Sequence, residues 1–255
     1  MSVVIETQDL TKVYKGMSKA QDLVALNKLN IQVNEGEILG LIGPNGAGKT
    51  TAFNLIAGFM PPNSGKVILE GEDVVGLKPY AITRKGIART FQIVKPFRKL
   101  TVLENVTLAS FLRFSARKEA EAEAHKVLER VELAEKATSF ASDLTLSEQK
   151  RLEIARALAT NPKVLLLDEP MGGLNPTEID HASILVREIC KGGVTIIWVE
   201  HVLKAIMNSC HRVIVIHHGE KIADMPPEEV VTNPVVIEAY LGKKANSYKK
   251  GEPIC

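Results

Sequence analysis

Gly43-Pro-Asn-Gly-Ala-Gly-Lys-Thr50 concentrates glycines, a lysine and a hydroxyl in one short run, directly after the apolar stretch Ile38–Ile42. The spacing matches the phosphate-binding pattern G-x-x-x-x-G-K-[ST]. Ile38–Ile42 reads as a strand and Thr51–Ala57 as a helix, so the glycines can let backbone N–H groups close around a phosphate at a helix N-terminus. Lys49 then neutralises β/γ-phosphate charge and Thr50 supplies a hydroxyl to Mg²⁺. A chain built around such a loop needs a sheet that ends at it, with helices packed behind.

The remaining patterns agree with an α/β chain. Short β-rich segments occur near Val3–Ile5, Ile31–Val33 and Val67–Glu70, with turn signals at Asn34-Glu35-Gly36 and Gly71-Glu72. Between about Thr101 and Ala159 the character becomes helical. Thr101-Val-Leu-Glu104 is a capping box, and Glu119–Val131 is rich in Ala, Glu, Lys and Leu. Val164–Leu167 and Val194–Val199 return as continuous apolar runs too short for helices, as expected of buried parallel strands. Lys243–Cys255 has little apolar content and is expected to be a mobile tail.

Composition removes several alternatives. With 32 basic against 30 acidic residues the formal charge is +2, which gives no general reason to bind nucleic acid or a charged bilayer. The three cysteines, Cys190, Cys210 and Cys255, have neither metal-ligand spacing nor a disulfide-scaffold pattern, and fit a reducing compartment. No leader is expected, and no apolar run reaches the roughly 18 residues that span a bilayer.

Further candidate residues stand at the ends of apolar strands. Asp168 and Glu169 close Val164-Leu-Leu-Leu-Asp-Glu-Pro170, where Asp168 would hold Mg²⁺ hydration and Glu169 would accept a proton from an attacking water. His201 follows Val194–Glu200 at the same sheet edge, where ligands of parallel α/β sheets collect. Gln92 ends Ile87-Ala-Arg-Thr-Phe-Gln92 at the entrance to the helical stretch, within reach of Mg²⁺ or water.

In this order the motifs resemble the ATP-binding cassette family over residues 3–242. The resemblance implies a P-loop NTPase (RecA-like) α/β core carrying an antiparallel β subdomain and an inserted α-helical subdomain at about residues 93–160. It also implies that ATP and Mg²⁺ are bound by Gly43, Pro44, Asn45, Gly46, Ala47, Gly48, Lys49, Thr50 and Thr51, with Tyr14 stacking on adenine and Thr50, Gln92 and Asp168 around the metal. Lys49, Gln92, Glu169 and His201 would form the hydrolytic group. Arg89-Thr-Phe-Gln92, Arg151–Ala157, Met171–Glu178 and Val236–Gly242 are similar to the ATPases of branched-chain amino acid importers. Such a subunit works peripherally at the cytoplasmic face of the membrane with integral-membrane permease subunits, Ile93–Lys99 being the expected contact.

Two departures from the family pattern matter. Leu144-Thr-Leu-Ser-Glu148 replaces the usual Leu-Ser-Gly-Gly-Gln signature, and Asn175 stands where Asp is frequent. In the family, the signature of one cassette faces the ATP of a second, head-to-tail cassette. Thr145 keeps a hydroxyl and Ser147 an N–H for that ATP, but a Cβ stands where glycine allows the closest approach. A non-identical second cassette with a more regular signature is therefore expected. A regulatory nucleotide-binding module with little hydrolysis is opposed by the intact Glu169 and His201. A nucleic-acid-directed ABC ATPase is opposed by the lack of a second cassette or long coiled-coil insertion.

Overall fold

A computed structural model describes residues 2–16 and 21–241; residues 17–20 and those from Gly242 onward, with the expected tail at Lys243–Cys255, lie outside these. The strands are β1 (Val3–Tyr14), β2 (Leu23–Asn34), β3 (Ile38–Ile42), β4 (Ser64–Leu69), β5 (Glu72–Asp73), β6 (Ile87–Arg89), β7 (Val164–Asp168), β8 (Thr195–Val199), β9 (Arg212–His217) and β10 (Glu220–Met225). The helices are α1 (Lys49–Ile56), α2 (Pro79–Lys85), α3 (Val102–Ser110), α4 (Arg117–Arg130), α5 (Leu146–Leu158), α6 (Pro176–Lys191), α7 (Leu203–Ser209), α8 (Pro227–Val230) and α9 (Pro234–Leu241).

Two sheets organise the chain. The larger has the order β10-β9-β3-β8-β7-β6, parallel from β6 through β9 with β10 antiparallel at its edge. Every residue of β3, β7 and β8 is buried, which explains why their sequences run apolar instead of alternating. Successive side chains point to opposite faces and divide the core. Ile38, Ile42, Leu165, Leu167, Ile196 and Trp198 pack with the helices of the 102–158 region, α6 and α7. Leu39, Leu41, Val164, Leu166, Ile197 and Val199 pack with α1 and the second sheet. That second sheet is antiparallel with order β2-β1-β4-β5. Leu29, Ile31 and Val33 alternate inward along β2, each at most 2% exposed.

The fold class is the α/β architecture expected from the motifs. The capping box at Thr101 forms, with the Thr101 side chain accepting from the Glu104 N–H and the Glu104 carboxylate accepting from the Thr101 N–H. α3, α4 and α5 bury Val102, Val106, Val127, Leu128, Leu152 and Leu158 against one another and the large sheet. β1 extends to Tyr14, well beyond the short apolar start at Val3–Ile5. Its register shifts between Thr7 and Leu10, beside Asp9 at φ 47°, so strict alternation is lost there. Cys190 and Cys210 are buried free thiols whose pKa values burial raises, which makes them poor nucleophiles.

Candidate functional site

Four loops converge at the carboxyl edge of the parallel sheet. After β3 the chain turns through Gly43, Gly46 and Gly48, at φ 156°, 78° and 110°, and enters α1 at Lys49. The glycines are required. A Cβ on Gly43 would lie 2.1 Å from the Ile216 carbonyl oxygen, and one on Gly48 would lie 2.4 Å from that of Ala25. The Gly219 N–H donates to Ala47 O at 2.9 Å, so the β9–β10 turn supports the loop from behind.

Lys49 is 6% exposed, and its Nζ donates to Gly43 O at 2.7 Å and Pro44 O at 3.0 Å. Burial lowers its pKa, and the nearby charges of Glu169 and Asp168 oppose that shift. The lysine is thus held under the loop, facing both carboxylates. Thr50, the next residue of α1, is exposed at the loop mouth.

β7 delivers Asp168 and Glu169 to different surroundings. Asp168 is buried, and its Oδ2 accepts from Arg89 Nη2 at 2.7 Å. Arg89 also donates from Nη1 to Asn54 Oδ1 at 2.6 Å, and its guanidinium lies 5.4 Å from the Phe91 ring centroid. Glu169 has φ 49°, a left-handed backbone that is costly for a residue with a Cβ. Its N–H donates to Val199 O, while its C=O accepts from the Gly172 N–H and Lys150 Nζ, each at 3.3 Å. This turn presents the carboxylate to Gln92 Nε2 at 2.6 Å and His201 Nε2 at 2.7 Å.

The structure therefore brings Lys49, Asp168, Glu169, Gln92 and His201 together around one edge. Tyr14 ends β1 half exposed, with its hydroxyl 3.3 Å from Met60 Sδ. Thr145 and Ser147 lie apart from this group, at the start of α5. There Thr145 is the N-cap: its hydroxyl oxygen accepts from the Glu148 N–H at 3.3 Å, and Glu148 Oε2 accepts from the Thr145 N–H at 2.8 Å. Asn175 similarly caps α6, accepting from the Glu178 N–H at 3.0 Å.

Three contributors went unassigned when the sequence was read alone. Arg89 stands only three residues before Gln92, yet its partner Asp168 is 79 positions away. Glu200 is 3% exposed and accepts N–H bonds from Met171 at 2.6 Å, His201 at 2.8 Å and Val202 at 3.2 Å. Burial raises its pKa and the Glu169 charge adds to the rise, against the pull of the three amides. A glutamate directly after the buried strand β8 is itself a signal of a buried carboxylate needing partners. Lys150 was also missed, although it occupies the inward row of α5 with Ile154, Ala157 and Leu158.

A phosphate loop, a buried lysine and a carboxylate held by an amide and an imidazole at one sheet edge define a P-loop nucleotide hydrolase. The ABC transporter family matches residues 26–172, and the branched-chain amino acid ATP-binding cassette transporter family matches residues 220–246. The branched-chain amino acid transport ATP-binding protein BraF of Pseudomonas aeruginosa is 40% identical over 257 residues, covering 94% of this chain and 98% of that protein. An ATP-binding cassette solved in its ADP conformation superposes with a TM-score of 0.84 at 30% identity, over 95% of this chain and 100% of the other. A dimeric cassette bound to ADP and Pi gives 0.78 at 28% identity, over 88% and 98%. The chain belongs to the ATP-binding cassette family of ABC transporters and is an ATP-hydrolysing subunit of that class.

Proposed function

We propose that this chain powers uptake of branched-chain amino acids, as one cassette of a head-to-tail pair docked on integral-membrane permease subunits. The observation that carries the hydrolytic reading is the Glu169 carboxylate, held between Gln92 and His201 beside Lys49. Similarity to BraF along nearly the whole chain supports the substrate class. By its similarity to an importer's ATP-binding protein we assign it a peripheral place on the cytoplasmic face of the membrane; among the described residues no helix is long and apolar enough to cross one.

In this reading the amides of Gly43–Thr51 and the Lys49 ammonium hold the triphosphate. Glu169 takes a proton from the attacking water, His201 fixes one carboxylate oxygen, and Gln92 fixes the other. Thr50, Asp168 and Gln92 offer hydroxyl, carboxylate and amide oxygens, the hard donors that suit Mg²⁺ shared with phosphate oxygens. When bound, that ion would neutralise charge on the β- and γ-phosphates. Arg89 holds Asp168 in place for this work. Tyr14 remains the adenine platform in our reading.

A cavity of about 250 Å³ lies beside Gln92 and is lined in part by Phe59, Phe91, Glu153 and Arg156. Phe91, Ile93 and Phe97 are exposed next to it. We assign this groove, with Ile93–Lys99, to a cytoplasmic helix of the permease. Its apolar rim suits an amphipathic helix.

The signature region supports a non-identical partner cassette. Glu148 caps α5 and is kept ionised because the Thr145 N–H, its largest influence, lowers its pKa. A carboxylate at this helix start satisfies donors that would otherwise meet a phosphate, and it repels that phosphate. This chain should serve the partner's ATP poorly while the partner completes the site at Lys49 and Glu169. In the complete complex, Glu169→Gln should lower ATP turnover at least about tenfold further than the equivalent change in the partner. Equal losses, or full activity from this chain purified alone, would contradict the pairing.

A further inference from the structure

Lys150 lies on the same helix as the signature, one turn beyond Leu146. It is 8% exposed, and its Nζ donates to the main-chain oxygen of Glu169 at 3.3 Å. A Cβ built on Gly172 would lie 3.9 Å from that Nζ. The lysine therefore sits under the turn that follows Glu169. Leu146, the first residue of α5, touches the same turn, because a Cβ on Gly173 would come within 3.0 Å of its Cδ2. On the other side Glu200 fixes the turn through the Met171 N–H at 2.6 Å.

The contact joins the helical region to the hydrolytic carboxylate inside one chain. Glu169 owes its orientation to a left-handed backbone held by three hydrogen bonds, and Lys150 supplies one of them. Displacing α5 would pull on that carbonyl and turn the carboxylate relative to Gln92 and His201. Space for such movement is present: a cavity of about 230 Å³ borders Ser147, Lys150, Met171 and Leu174. Lys150 is close enough to Glu200 and Glu169 for both charges to oppose the lowering of its pKa by burial. Burial remains the larger effect, so the Lys150 pKa lies below its ordinary value.

We propose that Lys150 is a positioning residue that couples the signature end of α5 to Glu169, so that closure of the partner cassette on this chain's signature, even with weak phosphate contact there, adjusts this chain's own hydrolytic site. The proposal rests on the head-to-tail reading above. It assigns a physical link between the two nucleotide sites: one turn of rigid helix, one ammonium and one peptide carbonyl.

The test uses the complete transporter with Lys150→Met, Lys150→Arg, Glu169→Gln and the double variant Glu169→Gln/Lys150→Met, each substituted in this chain only. Lys150→Met should lower kcat about tenfold, as loss of a charge-assisted hydrogen bond would, with KM for ATP within about twofold of wild type. Its Hill coefficient for ATP should fall towards one, and Lys150→Arg should recover most of both. The double variant should turn over no more slowly than Glu169→Gln, because Lys150 acts through that residue. An unchanged kcat and Hill coefficient in Lys150→Met, beside an impaired Glu169→Gln, would overturn the coupling alone. A further loss in the double variant would also overturn it, by showing an action independent of Glu169. Full turnover in Glu169→Gln would instead overturn the assignment of the hydrolytic base.

Discussion

Glu169→Gln should bind MgATP and lose hydrolysis by about 10²–10⁴-fold, the range associated with a positioned general base. The substitution keeps the side-chain shape. Its amide oxygen can still accept from Gln92, and its NH₂ can face His201 Nε2 when the imidazole proton sits on Nδ1. The backbone at φ 49° has no reason to relax, since its hydrogen bonds to Val199, Gly172 and Lys150 are main-chain bonds of residue 169. Only the proton-accepting carboxylate is lost, so nucleotide should remain trapped between closed cassettes. ATPase rates, with nucleotide binding measured in parallel, check this; turnover near the wild-type rate would contradict it.

Lys49→Ala should fail at the preceding step, with ATP affinity falling by about 10- to 100-fold for loss of hydrogen bonds to a charged group. In the free chain the ammonium bonds the Gly43 and Pro44 carbonyls. Removing it leaves those acceptors exposed to the loop interior and removes the cation facing Asp168 and Glu169. The loop then meets a triphosphate without its compensating charge. Isothermal titration is the measurement, and unchanged affinity would exclude Lys49 as the phosphate contact.

Much of this site was legible because its chemistry demands local patterns. Gly43, Gly46 and Gly48 are needed for positive φ or close backbone approach, so their spacing appears in the chain itself. Ile38–Ile42 and Val164–Leu167 read as buried strands because both sheet faces are covered. The cap at Thr101 likewise depends on a neighbour three residues away, whereas Asn175 reads in the sequence only as a departure from Asp and its cap on α6 emerges with the fold.

Other features depend on distant partners. Arg89 acquires meaning only when β6 and β7 pair and bring Asp168 beside it. Glu200 after an apolar strand and Lys150 in an apolar row stand out as charges needing partners, but only the fold places them beneath the Met171–Gly173 turn as its supports. The length of β1 was obscured by Glu6, Thr7, Gln8 and Asp9, whose polar run and shifted register interrupt the alternation. The inward-facing charge on α5 was visible as a break in an apolar row, but its target on the opposite element was not.

The central claim is that ATP hydrolysis at Glu169 drives import of a branched-chain amino acid. The direct measurement is uptake of labelled leucine into vesicles containing the complete transporter and its solute-binding protein, with ATP supplied on the cassette side. Uptake should require ATP and fall to background when this chain carries Glu169→Gln. Leucine accumulation at the wild-type rate in that variant would contradict the account.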